Sequence, residues 1–563
     1  MEIIVNGKQI NLNQQHFVAK GGEAMVYNLG DVAYKIYEDL NKMVPESKLK
    51  ELSTLTCPNI VAPKDLIYNK KQEIIGFTMA WLGTDMVALC KLFTTGFRNA
   101  NQVTDDLTLE LVENIKENTI YIHENDFLIV DGNELNYMVD KDFVTPYFID
   151  TNAWQTPSFP PSAIMASIRD YRSKGFSKLT DWFSFAIISF QLFIGMHPFK
   201  GKHPKYKKRD FEARIKDCVS IINSEVTPAP NIRDLGLIPS SYMDWYIKLF
   251  EKGERLPPPL KAGQIGHVKT RIIFIKSTDN FDIKELKTFD SDILFHAVTG
   301  GKEIVKTKDY LYIDTVKRKV SPDVETLFTP MEGIPVFIKI ENSEVVMHCP
   351  DNYYNLLPVR ITCTEKMIVD NILFLRNKEK LIELAFNVID RNILIAIKTT
   401  WTIEPNSSKI FSNIVYQSVL GKSYIAIPLP TYSKSRFIVK RIPELDDYRI
   451  IDGKYQNKIC MFTLHKNGEY SRATLIFNDK HVEYKINIKE GIDYTPINFV
   501  TLDNGICISI TDDDAVEIFL NKIDKPDIKR VEDPEVNSGM KLYHDGVQVR
   551  VTKGEKLFTI KMR

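Results

Sequence analysis

Apolar residues change their rhythm once along this chain. Up to about residue 260 they switch between strand spacing and helical spacing. Residues 15–20, 25–28 and 32–37 predict short strands separated by glycine turns, 44–55 an amphipathic helix, and 74–82, IIGFTMAWL, a further strand. Within 107–124, Leu111, Val112, Ile115, Thr119 and Ile122 recur at helical spacing. The run 182–196, WFSFAIISFQLFIGM, is too short to span a bilayer and predicts a buried helix, and 241–251 predicts another.

At 256–266, LPPPLKAGQIG, three prolines and two glycines stop any helix and mark a linker. Beyond it almost every segment alternates with period two, from RIIFIKS (271–277) to GVQVRVTKGEKLFTIKM (546–562). The strand pairs recur about every 40–50 residues, and several share a turn with Asn or Asp and Gly between two strands, as in 503–520 and 544–562. That period suits repeated small antiparallel sheets such as propeller blades, six or seven over this length. The expected fold class is therefore multidomain: an α+β bilobed part at 1–260, with lobes 1–82 and 83–260, then an all-β domain, a β-propeller, at 261–563.

Composition narrows the function classes. A hydrophobic share of 44% with 26% charged residues is that of an ordinary globular protein. Lys plus Arg and Asp plus Glu both total 73, so no global field points to nucleic acid or an anionic membrane. The basic stretch 200–210, KGKHPKYKKRD, reads as a solvated loop. Seven cysteines, without a CxxC pair, and an N-terminus without an apolar leader predict reduced thiols and a cytoplasmic location.

The chemistry lies in an ordered series. AKGGEAMVY (19–27) sets Gly21 and Gly22 between two strands, with Ala19 and Ala24 as further small residues. Val32, Ala33, Tyr34 and Lys35 then form a strand ending in a lysine, and CPNIV follows at 57–61. IVDGNELN (129–136) follows a helix ending in IH and supplies Asp131 and Asn136; YFIDTNAW supplies Asp150. LTDWFSFAIISFQLFIGMHPFKG (179–201) and Arg255 in GERLPP complete the series. In this order the segments resemble the glycine-rich loop, the VAIK strand, the HRDxxxxN loop, the DFG aspartate and the late C-lobe segments of protein kinases, closest to divergent bacterial and phage kinase-like proteins.

The resemblance implies ATP and Mg as cofactors. It implies that Gly21, Gly22, Val26, Lys35, Ala80 and Leu82 bind nucleotide, that Asn136 and Asp150 hold metal, and that Asp131 is the catalytic base. Lys35 would orient phosphates, held by Glu46 or Glu51, although counting from CPNIV puts Lys48 at the glutamate position. Asp181 would brace the catalytic loop.

The departures are as specific. Ile129 and Val130 replace the His and Arg of HRD, Asn133 replaces the lysine two after the aspartate, DFG is Asp150, Thr151, Asn152, and no APE is recognisable around MASIRDY (165–171), leaving Arg255 without its usual glutamate. Two functions follow from these facts. One is an ATP- and Mg-dependent phosphotransferase whose propeller recruits a protein target; the other is a pseudokinase scaffold or virion-associated interaction protein that binds nucleotide without catalysis.

Overall fold

The chain folds as two units of contrasting build. The structure, a computed structural model, describes all residues but 22, 163, 208–209, 230–231, 261–280, 300–301, 322, 432–433, 525–527, 534 and 563. One unit is Met1–Leu12 with Glu23–Phe274, and the other is Asn13–Gly22 with Ile275–Arg563. The predicted strand at 271–277 and the second half of the predicted linker lie outside the described residues, as do Lys208 and Arg209 of the basic stretch.

In the first unit, an antiparallel sheet carries Lys8–Asn11, Glu2–Val5, Leu66–Tyr68, Ile74–Ala80, Val32–Tyr37 and Ala24–Leu29 in that order. The turn between the last two uses Gly30 at φ 61°, a conformation glycine adopts freely. Gly76 is required where it stands, because a Cβ there would lie 2.0 Å from the Lys35 carbonyl oxygen. One face packs Ala24, Tyr37 and Phe77 against Leu49 of the short helix Glu46–Leu52.

The helical part is organised around Lys178–Ile194, whose residues from Thr180 onward are all buried. Ser177 and Thr180 form a capping box at its start, and Gly195 ends it at φ 83°. Phe183 and Phe190 pack edge-on against Phe250, which stacks on Tyr246. The amphipathic helix Asp105–Glu124 buries Leu111, Val112, Ile115, Thr119 and Ile122, the residues whose spacing predicts it. The helix predicted at 241–251 is Ser240–Tyr246 continued by a wider turn, Ile247–Glu251.

Among the described residues of the second unit there are seven sheets, six purely antiparallel. They start at Phe281, Ile293, Glu325, Asn355, Ser408, Arg449 and Phe499. Neighbouring strands are joined by tight hairpins, and two-residue turns with both residues at positive φ recur: Asn342–Ser343, Asp370–Asn371, Asp390–Arg391 and Asn457–Lys458. This turn matches the right-handed twist of the strands it joins. In the sheet starting at Phe281, that first strand, Phe281–Thr288, pairs with the final strand, Lys556–Met562, through Phe281↔Met562 and onward. Alternating residues build apolar clusters, such as Ile414, Ile425, Ile450, Phe462 and Leu475.

Among the described residues no helix is long and apolar enough to cross a membrane.

Candidate nucleotide and phosphate site

Lys35 stands in the middle of the strand Val32–Tyr37, opposite Val26 on one side and Phe77 on the other. Directly opposed residues point to the same face, so Val26, Lys35 and Phe77 stand abreast, with Ala33 and Met79 one pleat further on. Ala80 pairs with Val32 and so turns its side chain to the other face; only its backbone can share a site with Lys35. Leu82 is half-buried just past that strand. Gly21 is exposed and belongs to the segment grouped with the second unit, and Gly22 lies outside the described residues.

The Lys35 ammonium donates to Asp150 Oδ1 at 3.0 Å and to Asn152 Oδ1 at 2.8 Å. Its side chain is 12% exposed and that of Asp150 is 52% exposed. Burial works to lower the Lys35 pKa, but the Asp150 carboxylate, with Tyr37 and Glu23 adding to it, offsets this and holds the pKa above its ordinary value. The ammonium therefore remains charged at neutral pH.

Neither glutamate considered for Lys35 bonds to it. Glu46 pairs with Lys50 at 2.7 Å on its own helix. Glu51 accepts from the Ser158 amide at 3.3 Å, and hydrogen bonds from Thr156 and Ser158 hold its carboxyl below the usual range. Lys48 is buried and donates to the Pro160 carbonyl at 3.1 Å, and burial lowers its pKa. The helix is thus tied to residues 156–160, and Lys35 is held by the turn at 150–152.

A hairpin joins the other candidates. Tyr137–Val139 and Pro146–Phe148 pair with Tyr137 opposite Phe148, so Asn136 and Ile149 meet at its open end, where the Ile149 amide donates to the Asn136 carbonyl at 3.0 Å. Asp150 is the next residue. The segment 57–61 steadies this end: the Val61 amide donates to the Phe148 carbonyl at 2.9 Å, and the Thr151 hydroxyl donates to the Val61 carbonyl at 3.0 Å.

Asp131 has both carboxylate oxygens engaged. Oδ1 accepts from the Met165 amide at 2.8 Å; Oδ2 accepts from the Asn133 side chain at 3.0 Å and the Asn136 side chain at 3.3 Å. The Asn136 amide nitrogen also donates to the Asp131 carbonyl at 2.8 Å, so its Oδ1 is the atom that could serve a metal. Among the described residues no three His, Cys, Asp or Glu side chains converge on one point. The donors here, one half-exposed carboxylate and one amide oxygen, fit a hard cation such as Mg that completes its shell with water and phosphate oxygens.

The loop itself is braced from below. Asp181, with its side chain 1% exposed, accepts from the Ile129 amide at 2.7 Å, the Val130 amide at 2.9 Å and His123 Nε2 at 3.0 Å. These bonds hold Val130 at φ 59°, a strained conformation for a β-branched residue. Asp181 thus takes the bracing role that the resemblance implies.

Arg255 does have an acidic partner: Asp170, from the MASIRDY segment, receives Nε at 2.6 Å and Nη2 at 2.5 Å, while the guanidinium lies 4.4 Å from the Phe183 ring centre. The Asp170 side chain is fully buried; burial alone would raise its carboxyl pKa, but Arg255 and Ser173 hold it below the usual range. An aspartate thus takes the place that the resemblance gives to the APE glutamate.

Two cavities lie away from this cluster. One of about 480 Å³ is lined by Ile4, Leu49, Leu66 and Phe77, and one of about 440 Å³ in the second unit by Arg318, Phe337, Lys339 and His348; neither lining includes Lys35, Asp131, Asn136 or Asp150.

No family model matches the chain, and no curated protein matches it. Among solved structures, the kinase PK-1 of Cydia pomonella granulovirus is similar over 35% of this chain and 72% of that one, at 10% identity and a TM-score of 0.27. A likeness that slight carries no argument.

Proposed function

We propose that the first unit is a kinase-like domain that binds ATP with Mg and transfers phosphate to a protein partner. The observation that carries this is the convergence of Lys35 with Asp150, with Asn136 set beside Asp150 by the hairpin and hydrogen-bonded to Asp131. Lys35 would meet the α- and β-phosphates as a point charge, Asp150 and Asn136 would hold the metal, and Asp131 would accept the proton of the acceptor hydroxyl. Magnesium, when bound, supplies charge neutralisation at the phosphates. We further propose that the second unit is a seven-bladed propeller that recruits the partner in the cytoplasm, without membrane or nucleic acid. In support stand the seven sheets among its described residues and the pairing of Phe281–Thr288 with the final strand, Lys556–Met562, which joins chain segments from the two ends of that run of sheets in one sheet.

A second reading, a pseudokinase that binds nucleotide for switching, is favoured by one arrangement: both Asp131 carboxylate oxygens already accept hydrogen bonds, Oδ1 from the Met165 amide and Oδ2 from the Asn133 and Asn136 side chains.

Labelled ATP with Mg separates the two. Asp131→Ala should keep Mg-ATP affinity and lose about 100-fold or more in turnover, the typical loss of a positioned base. Asp150→Ala should lose metal-dependent binding and turnover together. Wild type that binds nucleotide and labels nothing would select the pseudokinase; absence of any Mg-ATP-induced thermal shift would end both readings.

A further inference from the structure

We propose that Asn152 is the positioning residue for Lys35, doing with a neutral amide what the kinase resemblance assigns to a glutamate on the helix; the inference rests on the nucleotide-binding reading above. An ammonium can only donate, so the atom 2.8 Å from Lys35 Nζ must be the amide oxygen. Asn152 is 5% exposed and sits on the short turn Thr151–Ala153. That turn is fixed at both ends: the Thr151 hydroxyl bonds to the Val61 carbonyl, and the Ala153 amide to the Asp150 carbonyl at 3.0 Å. Glu46 and Glu51 are spent on Lys50 and Ser158, and Lys48 holds Pro160.

The electrostatic consequence separates this arrangement from a glutamate pair. A carboxylate beside the lysine cancels much of its field, whereas an amide fixes the ammonium and leaves its full charge for phosphates. In the resting arrangement Asp150 also bonds to Lys35. Were Asp150 to hold a metal instead, Asn152 would still accept from Lys35 as its anchor. Lys35 therefore takes its orientation from the 150–152 turn and not from a glutamate of the helix Glu46–Leu52.

The test uses the full chain and two readouts. The first, without nucleotide, is acylation of Lys35 by acetic anhydride, scored on its peptide by mass spectrometry; the second is Mg-ATP affinity by calorimetry. Asn152→Leu, close in volume but without an acceptor, should be acylated several-fold faster at Lys35 and bind Mg-ATP about tenfold more weakly, the scale of one hydrogen bond to a charged group. Asn152→Asp, which keeps the acceptor, should restore the protection of Lys35. Replacing both Glu46 and Glu51 by Gln should change neither readout. If Asn152→Leu does not fold, Asn152→Ser, too short to reach, should show the same direction. Lys35 protection unchanged in the Leu or Ser variant, or lost in the double Gln variant, overturns the proposal. Wild type that fails to bind Mg-ATP refutes the nucleotide reading, while the acylation readout still decides the role of Asn152.

Discussion

The two units hold together by different means. In the first, the polar contacts that shape the candidate site join residues far apart in sequence: Lys35 with Asp150, Asp181 with Ile129, and Asp170 with Arg255. In the second, most strands pair with their immediate neighbours, and apolar clusters fill the space between them. Local pairing spreads stability over many similar contacts, whereas long-range polar contacts concentrate it in a few. A lesion in the second unit should therefore be severe only where a large side chain is lost, and a lesion in the first should be felt through single bonds.

The largest effect expected is that of Phe462→Ala. Phe462 is fully buried, in a cluster with Ile414, Ile450 and Leu475, and its ring lies over Gly453, where a Cβ would come within 2.8 Å. Removing it should cost about 3–5 kcal/mol. Hydrogen exchange should rise in the strands Ser408–Phe411, Ile414–Val419, Arg449–Gln456 and Ile459–Lys466, with Mg-ATP affinity retained. Exchange that rises evenly over all seven sheets would show that the second unit is less local than its pairing suggests.

The first unit offers the sharper contrast through one ion pair. Asp170→Asn removes the charge from a bidentate contact with Arg255 and should cost about 1.5–3 kcal/mol. Its signature is pH dependence. The Asp170 carboxyl is held below its unfolded pKa, so its contribution is fully present above that value, near 4, and is lost as pH falls through the depressed folded value. Acid unfolding followed by fluorescence should show a shallower limb below about pH 4 in the variant. An unchanged limb would mean that Asp170 and Arg255 do not couple to stability.

How far the sequence foretold these features follows from the same division. Period-two alternation made the strands of the second unit readable, because each needs only its neighbour to bury one face. The turns with Asn or Asp and Gly were readable too, but Arg391, Leu420 and Lys458 at positive φ were not, since nothing in those side chains announces that conformation. In the first unit the order of Lys35, Asp131, Asn136 and Asp150 was legible because each stands in a recognisable local setting. Asn152 and Asp170 were not, because each stands where the resemblance has another residue, glycine and glutamate respectively. The partner of Lys35 was likewise hidden. Helical spacing placed Glu46 and Glu51 on the right element but could not show that residues 156–160 would claim Glu51.

The smallest effect tests whether strained backbone has the same meaning in both units. Leu420 and Val130 both sit at positive φ, at 48° and 59°, and each should gain about 1 kcal/mol of backbone relief from glycine, which adopts this region without a Cβ clash. Their surroundings differ. Leu420 is 49% exposed in a hairpin turn, so Leu420→Gly gives up little burial and should raise the melting temperature by roughly 1–3 °C. Val130 is 2% exposed in the loop that carries Asp131. Losing its buried isopropyl group costs about 1.5–3 kcal/mol, more than the relief, so Val130→Gly should lower the melting temperature. It should also loosen the loop, because glycine admits backbone states that valine excludes. The same substitution should thus change sign between the two units. If both variants were stabilised, the Val130 conformation would be incidental strain; if both were destabilised, the hairpin turn at Leu420 would depend on packing that its exposure does not suggest.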